Sequence, residues 1–310
     1  MAYKQDAPSQ PSVQRAALAG WQVLEVVGSD ATAFLQAQLM NDVRALAPQH
    51  WQWNGWLNPK GRLIALLALI MLDENSYWLL AADFPASDLA SRLQRFVFRS
   101  KLTLRVRADL GAFADFDSVA AAEQSNSNLS MVAGEAESRL ALDFTTDHTT
   151  RALWLQPCGG ESVAFPSDST ADFPPNAEPE RRWRALDLAH GLPRLPADQS
   201  EHWTPQMLSL DRLDAYSLKK GCYPGQEIIA RTHYLGQAKR GLVRIAGNGL
   251  RVGAEIRADD RLLGTIVSCA DVNCAEAEAL AVLSAERPDA GWTCGGTPCR
   301  ELPLLDGLAR

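Results

Sequence analysis

The chain has 310 residues, 46% of them hydrophobic, with a net charge of −7 and a pI near 5.3. That length and apolar content suffice for a sizeable core and two or three structural units. The acidic balance argues against a constitutive, non-specific binder of nucleic acid or of a membrane surface.

Residues 1–13 are polar and proline-bearing, without the basic start and apolar stretch of a secretory signal, and read as a flexible tail. Residues 21–27 alternate as a strand. Gly28, Ser29 and Asp30 then open a helix through Phe34, Leu35 and Leu39, with Ser29 or Asp30 as the natural N-cap. Residues 51–57 form a hairpin with the strand that begins at Leu63. Between them Asn58, Pro59, Lys60 and Gly61 suit a type I turn. The apolar run 63–72 is too short to span a bilayer and reads as a buried strand, so a cytoplasmic, membrane-free protein is expected. A turn over 73–76 leads to a strand over 77–82. A helix over 86–98 would place Leu89, Leu93, Phe96 and Val97 on one face, and Leu102, Leu104 and Val106 mark a half-exposed strand.

These elements predict a first α+β unit over residues 14–110, on a mostly antiparallel sheet. A second unit, 111–182, is partly irregular: 124–130 is polar and 157–179 is rich in Pro, Gly and Ser. A motif segment, 183–238, follows. The final unit, 239–310, carries short strands at 242–245, 254–257, 262–268 and 280–283, and reads as a β-barrel.

The motif segment contains Lys219, Lys220, Gly221, Cys222, Tyr223, Pro224, Gly225, Gln226 and Glu227. Ile228, Ile229, Ala230 and Arg231 continue it with helical spacing, and Pro224 suits a first helical turn. Cys222 would then sit at or just before a helix N-terminus. Free amides, the helix dipole and the two lysines favour a thiolate there. Gly221 and Gly225 would allow unusual turns or close approach of a ligand. The plainer alternative is a small buried thiol in a glycine-shaped turn.

From Lys219 to Arg244, Lys219, Lys220, Arg231, Lys239, Arg240 and Arg244 face one acid, Glu227. A folate glutamate tail or an RNA phosphate would suit such a segment, as would plain solvation. A second basic run, Arg92, Arg95, Arg99, Lys101, Arg105 and Arg107, has no interleaved acid. The six cysteines, without a signal peptide, argue for reduced thiols. Cys269 and Cys274, and then Cys294 and Cys299, repeat one spacing and are weak candidates for a metal site. No His joins them, and no permanently bound metal is predicted.

The string Lys220, Gly221, Cys222, Tyr223, Gly225, Gln226, Glu227, then Ala230, Arg231 and Arg240, resembles the signature of the YgfZ family, relatives of the glycine-cleavage aminomethyltransferase. Gly28, Asp30, Phe34, Asn41 and Asp42, and the turn Lys60, Gly61, Arg62, are similar to other parts of that family. The resemblance implies an aminomethyltransferase-like folate-binding α+β fold with a C-terminal β-barrel. It also implies tetrahydrofolate or another folate as ligand, with Trp21 and Trp183 associated with it, and Arg231 could meet the folate carboxylates. The implied role is an accessory protein that supports iron–sulfur enzymes of tRNA modification through Cys222, with a tRNA contact through the basic runs. The alternative is a folate-dependent one-carbon transferase. Aligned on Gly61, however, Ala65 and Leu66 stand where the transferases carry an acidic pair, and neither can exchange a proton. Catalytic turnover is therefore not the expectation.

Overall fold

The structure is a computed structural model that describes residues 15–116, 129–133, 138–158, 178–236, 238–270 and 277–310. The expected polar segment 124–130, the irregular stretch 157–179 and Cys274 lie wholly or largely outside these residues.

Two five-stranded sheets and a closed six-stranded barrel make up the described fold, and every strand pairing in it is antiparallel. The first sheet runs in the order His50–Leu57, Leu63–Asp73, Ser76–Ala82, Trp21–Val27, Thr103–Val106. Its apolar strand needs no polar alternation because both faces are covered. Ala65, Leu67 and Leu69 pack beneath helices α1 (Ala31–Gln38) and α2 (Ala86–Gln94), whereas Leu66, Ala68 and Ile70 face the molecular centre.

The second sheet runs Ala16–Leu18, Leu110–Asp115, Ala152–Pro157, Ser138–Asp143, Leu129–Ala133. Its first strand precedes the whole of the first sheet in sequence, so the chain enters one unit before building the other. Helix α3 (Glu178–Ala189) lies against this sheet. One central core joins Leu66 and Leu80 of the first sheet, Leu153 and Leu155 of the second, Trp183 of α3, and Leu280 and Val282 of the barrel. The three units therefore share a single buried interior.

The expected 21–27 strand is Trp21–Val27, and the hairpin closes as anticipated. Gly61 donates its amide to the Asn58 carbonyl at 2.9 Å, and the Asn58 side chain accepts from the amides of Lys60 and Arg62. Two expectations are corrected. Asp30 occupies the N-cap position of α1, but its carboxylate accepts from the Lys101 amide at 2.7 Å rather than capping the helix. Helix α2 ends at Gln94, four residues early, and Phe96 leaves the buried face to meet Trp56 edge-on. The barrel comprises Arg240–Gly247, Glu255–Ala258, Arg261–Cys269, Ala277–Ser284, Trp292–Cys294 and Thr297–Leu302. Its last two strands, too short and Gly-flanked to read from periodicity, close it against Arg240–Gly247. No helix among the described residues is long and apolar enough to cross a membrane.

Candidate functional site

Helix α4 spans Gln226–Leu235 and begins later than the spacing suggests. Gly225, at φ +78°, is its N-cap, and a left-handed residue there stops the helix from starting earlier. Pro224 is thus outside the helix, and Cys222 lies further back, in an exposed turn. The left-handed glycine is required sterically: a Cβ on Gly225 would fall 2.7 Å from both the Asn58 carbonyl oxygen and the Gly61 Cα. Gly61, also left-handed, would in turn press a Cβ to 2.9 Å from that of Ile228. The tip of the first hairpin and the start of α4 are therefore seated glycine against glycine. Gly221 is different, since its missing side chain would meet nothing within 4 Å.

Lys220, expected to add positive charge near Cys222, turns inward. It is buried, and its ammonium donates to the carbonyls of Gln36, Leu39 and Asn41 at 2.6–2.9 Å. It thereby closes the C-terminal end of α1, where carbonyls lack helical partners and the dipole favours a cation. Burial, only partly offset by Asp42, lowers its pKa to about 8. Tyr223 is buried beside it, donates its hydroxyl to the Ser217 carbonyl, and is raised to about 12 by burial. Gln226 returns an amide hydrogen bond to the Lys220 carbonyl. Four signature residues thus anchor the loop from within, and Cys222 is presented at the surface. Glu227 and Arg231 are both exposed, and among the described residues they form no ion pair with each other.

The second assembly lies at the shared core. Trp183 is fully buried, with the Arg151 guanidinium 4.4 Å from its ring centroid and Phe144 at 5.3 Å. Trp21 meets the other side of that aromatic group through Phe144 and carries the Arg194 guanidinium 4.9 Å over its own ring. Arg151 and Asp187 pair at 2.8 Å with both side chains inaccessible, and Arg194 grips Asp83 through two hydrogen bonds of 2.9 and 3.0 Å. Burial pushes the Asp187 carboxyl upward despite Arg151 and Arg194. Burial acts on Asp83 in the same sense, but Arg194 and Arg184 outweigh it and hold that carboxyl below its usual range.

Several polar atoms here have no hydrogen-bond partner among the described residues: the indole Nε1 of Trp21 and of Trp183, Arg151 Nε and Nη2, Arg194 Nη1 and Asp187 Oδ2. Unsatisfied buried donors and acceptors are costly, and Arg194 Nη1 and Asp187 Oδ2 offset part of that cost by pairing as ions at 3.8 Å. A cavity of about 10 Å³ lies alongside, lined by Trp21, Trp53, Leu66, Leu80, Pro193 and Arg194 among others. A second, of about 50 Å³, runs along Trp21, Gln22, Val106, Arg107 and Gly111. Trp21 is thus the wall common to both, whereas Trp183 lies behind it, off either lining. Leu66 faces the smaller cavity while Ala65 points to the opposite core.

Arg151, Asp187, Arg194 and Asp83 were not singled out from sequence. One signal was present: Asp187 follows Trp183 by one helical turn and so falls on the buried stripe of α3.

The basic runs are partly neutralised by acids from elsewhere. Arg244 pairs with Glu278 at 2.7 Å, Arg92 with Glu201, Arg105 with Glu25, and Arg107 with both Glu25 and Asp109. Lys219, Arg231, Lys239 and Arg240 remain exposed, as do Arg95, Arg99 and Lys101. In the barrel, the Cys269 thiol donates to the carbonyls of Leu250 and Glu278, and Cys299 is pushed up to about 11 by burial and the neighbouring Cys294. No metal-holding group occurs among the described residues.

No protein-family model matches the chain. It is 27% identical over 267 residues to the tRNA-modifying protein YgfZ of Cronobacter sakazakii, covering 81% of this chain and 78% of that protein. It is also 27% identical over 309 residues to the tRNA-modifying protein YgfZ of Yersinia pseudotuberculosis, covering 88% and 87%. The glycine cleavage system aminomethyltransferase T of Bartonella henselae superposes with a TM-score of 0.69 over 94% of this chain and 86% of that one, at 15% identity. The chain is therefore a relative of the YgfZ proteins, built on the aminomethyltransferase fold with a C-terminal barrel.

Proposed function

We propose that the protein is a folate-binding accessory factor that supports iron–sulfur enzymes of tRNA modification in the cytoplasm, with Cys222 as its working thiol. The observation that carries this reading is the division of labour in the motif loop. Lys220, Tyr223, Gly225 and Gln226 are committed to structure, and the Cys222 thiol is left exposed among them. An exposed thiol can bind a cluster iron transiently, accept sulfur or undergo exchange.

The central donor set fits a folate chemically. A pteridine edge offers both donors and acceptors, which suits the Arg151 nitrogens that make no hydrogen bond among the described residues, and Arg194 Nη1 and Asp187 Oδ2, which meet only as a long ion pair of 3.8 Å. The indole of Trp21 would supply the flat apolar contact. In volume the smaller cavity takes only about one water. Folate would therefore enter by displacing the Trp21 wall that the two cavities share. Trp183, with Arg151 over its ring, would act from behind by holding Arg151 in place rather than by stacking.

The one-carbon transferase reading is disfavoured by Leu66. It occupies the cavity wall with a side chain that can neither move a proton nor stabilise a developing cation.

Two measurements test the proposal. Tetrahydrofolate should change tryptophan fluorescence on titration, and Trp21→Ala should weaken the response; no response in the wild type would refute the ligand. In a strain lacking the gene, Cys222→Ala should fail to restore tRNA methylthiolation while still binding folate. Full restoration would reduce Cys222 to a structural residue.

A further inference from the structure

The tip of the first hairpin is flanked by two exposed segments that are far apart in sequence. On one side α2 unwinds into the tight turn that holds Arg95, Phe96, Val97, Phe98 and Arg99. Val97 is buried and pins this turn, with the Ser100 amide donating to its carbonyl at 2.8 Å. Phe98 is 88% exposed and left-handed, at φ +40°, which is costly for an aromatic residue without glycine's freedom. Arg95, Arg99 and Lys101 surround it in sequence and are exposed. On the other side α4 carries exposed Arg231 and His233, with Tyr234 67% exposed.

The hairpin joins the two. Phe96 packs edge-on against Trp56 in its first strand, and Arg92 reaches Glu201, which accepts from the Asn58 side chain at the tip. Gly61 of the same tip is seated against Gly225 and Ile228 of α4, and Lys60 stands exposed between the segments. Glu227 is an exposed acid on the α4 side. Arg92, Arg105 and Arg107 pair with acids of the scaffold, whereas Arg95, Arg99, Lys101 and Arg231, close in sequence to the open rings, are exposed.

We infer that this face, Arg95, Phe98, Arg99 and Lys101 with Lys60, Arg231 and Tyr234, binds a single-stranded segment of RNA. Exposed rings near cations that form no ion pair among the described residues match that partner, with bases stacking on Phe98 and Tyr234 and phosphates meeting the Arg and Lys side chains. Neither described cavity opens among these residues, so the face offers exposed rings and charge rather than a pocket for a peptide side chain. The inference deepens the proposed function by naming how an RNA substrate would be held beside the thiol loop, and it rests on that reading.

The test is fluorescence anisotropy with a labelled single-stranded RNA of about a dozen nucleotides and with unmodified tRNA. The full-length wild type is compared with Phe98→Ala, with Arg95→Glu/Arg99→Glu, and with Arg251→Glu on the barrel as a control for net charge. Phe98→Ala should weaken binding roughly tenfold, the loss expected of one stacked base. Charge reversal should abolish binding, and the wild-type affinity should fall by about 0.7 log units per phosphate contact for each tenfold rise in salt. Arg251→Glu should bind like the wild type. Absence of wild-type binding, or equal losses in all variants, would overturn the inference. So would Phe98-dependent binding to phosphatidylserine vesicles with none to RNA. Folate titration of the same proteins separates the two claims. RNA failure with folate binding intact refutes this face alone, whereas folate failure with Phe98-dependent RNA binding refutes the ligand and leaves the face standing.

Discussion

At the centre of the molecule Arg151 faces Asp187 and Arg194 spans Asp83 and Asp187, yet several nitrogens and one carboxylate oxygen of this group make no hydrogen bond among the described residues. Around Lys220 the arrangement is the reverse: three carbonyls take the three ammonium protons, and nothing is left over. Both assemblies are buried and polar. The first keeps bonding capacity in reserve, as a binding site does, and the second exhausts it, as a fastening does. Cys222 stands next to the fastening, so its surroundings contribute position and leave its chemistry to whatever approaches.

The largest effect that could break this contrast is expected at the centre. Arg151→Met should cost about 3–5 kcal/mol of unfolding free energy in urea titration, because it strands the Asp187 charge in the core. The double variant Arg151→Met/Asp187→Leu should recover much of that loss. If it does not, the pair is serving packing rather than charge. Lys220→Met should cost about 2–3 kcal/mol by leaving α1 carbonyls without a donor, and folate binding should be unaffected. Weakened folate binding in that variant would join the two assemblies into one site.

How much of this was legible beforehand depended on whether local spacing or distant contact decided each feature. The Trp21–Val27 strand and the Asn58–Gly61 turn follow from residues adjacent in the chain and were readable. Lys220 was read as one cation of a basic segment beside Cys222, whereas its partners belong to the end of a helix met far earlier. The basic runs looked unopposed for the same reason, since Glu25, Glu201 and Glu278 come from other strands and loops. The strand Ala16–Leu18 was missed because three residues carry too little periodicity, and its pairing partner lies beyond the first sheet. Cys222 was found by its motif. Its exposure, and the helix start at Gln226, needed the left-handed turn at Gly225.

A more gradual effect concerns pH. His190 is buried between the Asp306 carbonyl and Thr146, and burial followed by Arg151 lowers its pKa to about 4. The unfolded chain binds that proton near 6.5, so the stability it contributes is present above pH 6.5 and is lost as pH falls toward 4. Thermal unfolding between pH 7 and 4 should show this decline, and His190→Gln should flatten it. An unchanged slope would assign the acid sensitivity elsewhere. The smallest effect is expected at the thiol: Cys222→Ser should shift stability by no more than about 0.5 kcal/mol, while the wild-type thiol reacts with a disulfide reagent in the native state. A larger shift would place Cys222 with the fastening after all.

The glycine-to-glycine seat between Gly61 and Gly225 makes the thiol loop inseparable from the hairpin it leans on. A synthetic peptide that copies the motif would have no counter-surface to hold Gly225 left-handed, and an excised C-terminal half would lose the reference that aims Cys222. The position of Cys222 is in this sense an address on the first sheet, written in the last third of the chain. Substitutions at the hairpin tip should therefore be read as changes to the thiol's position, even though they touch none of its atoms.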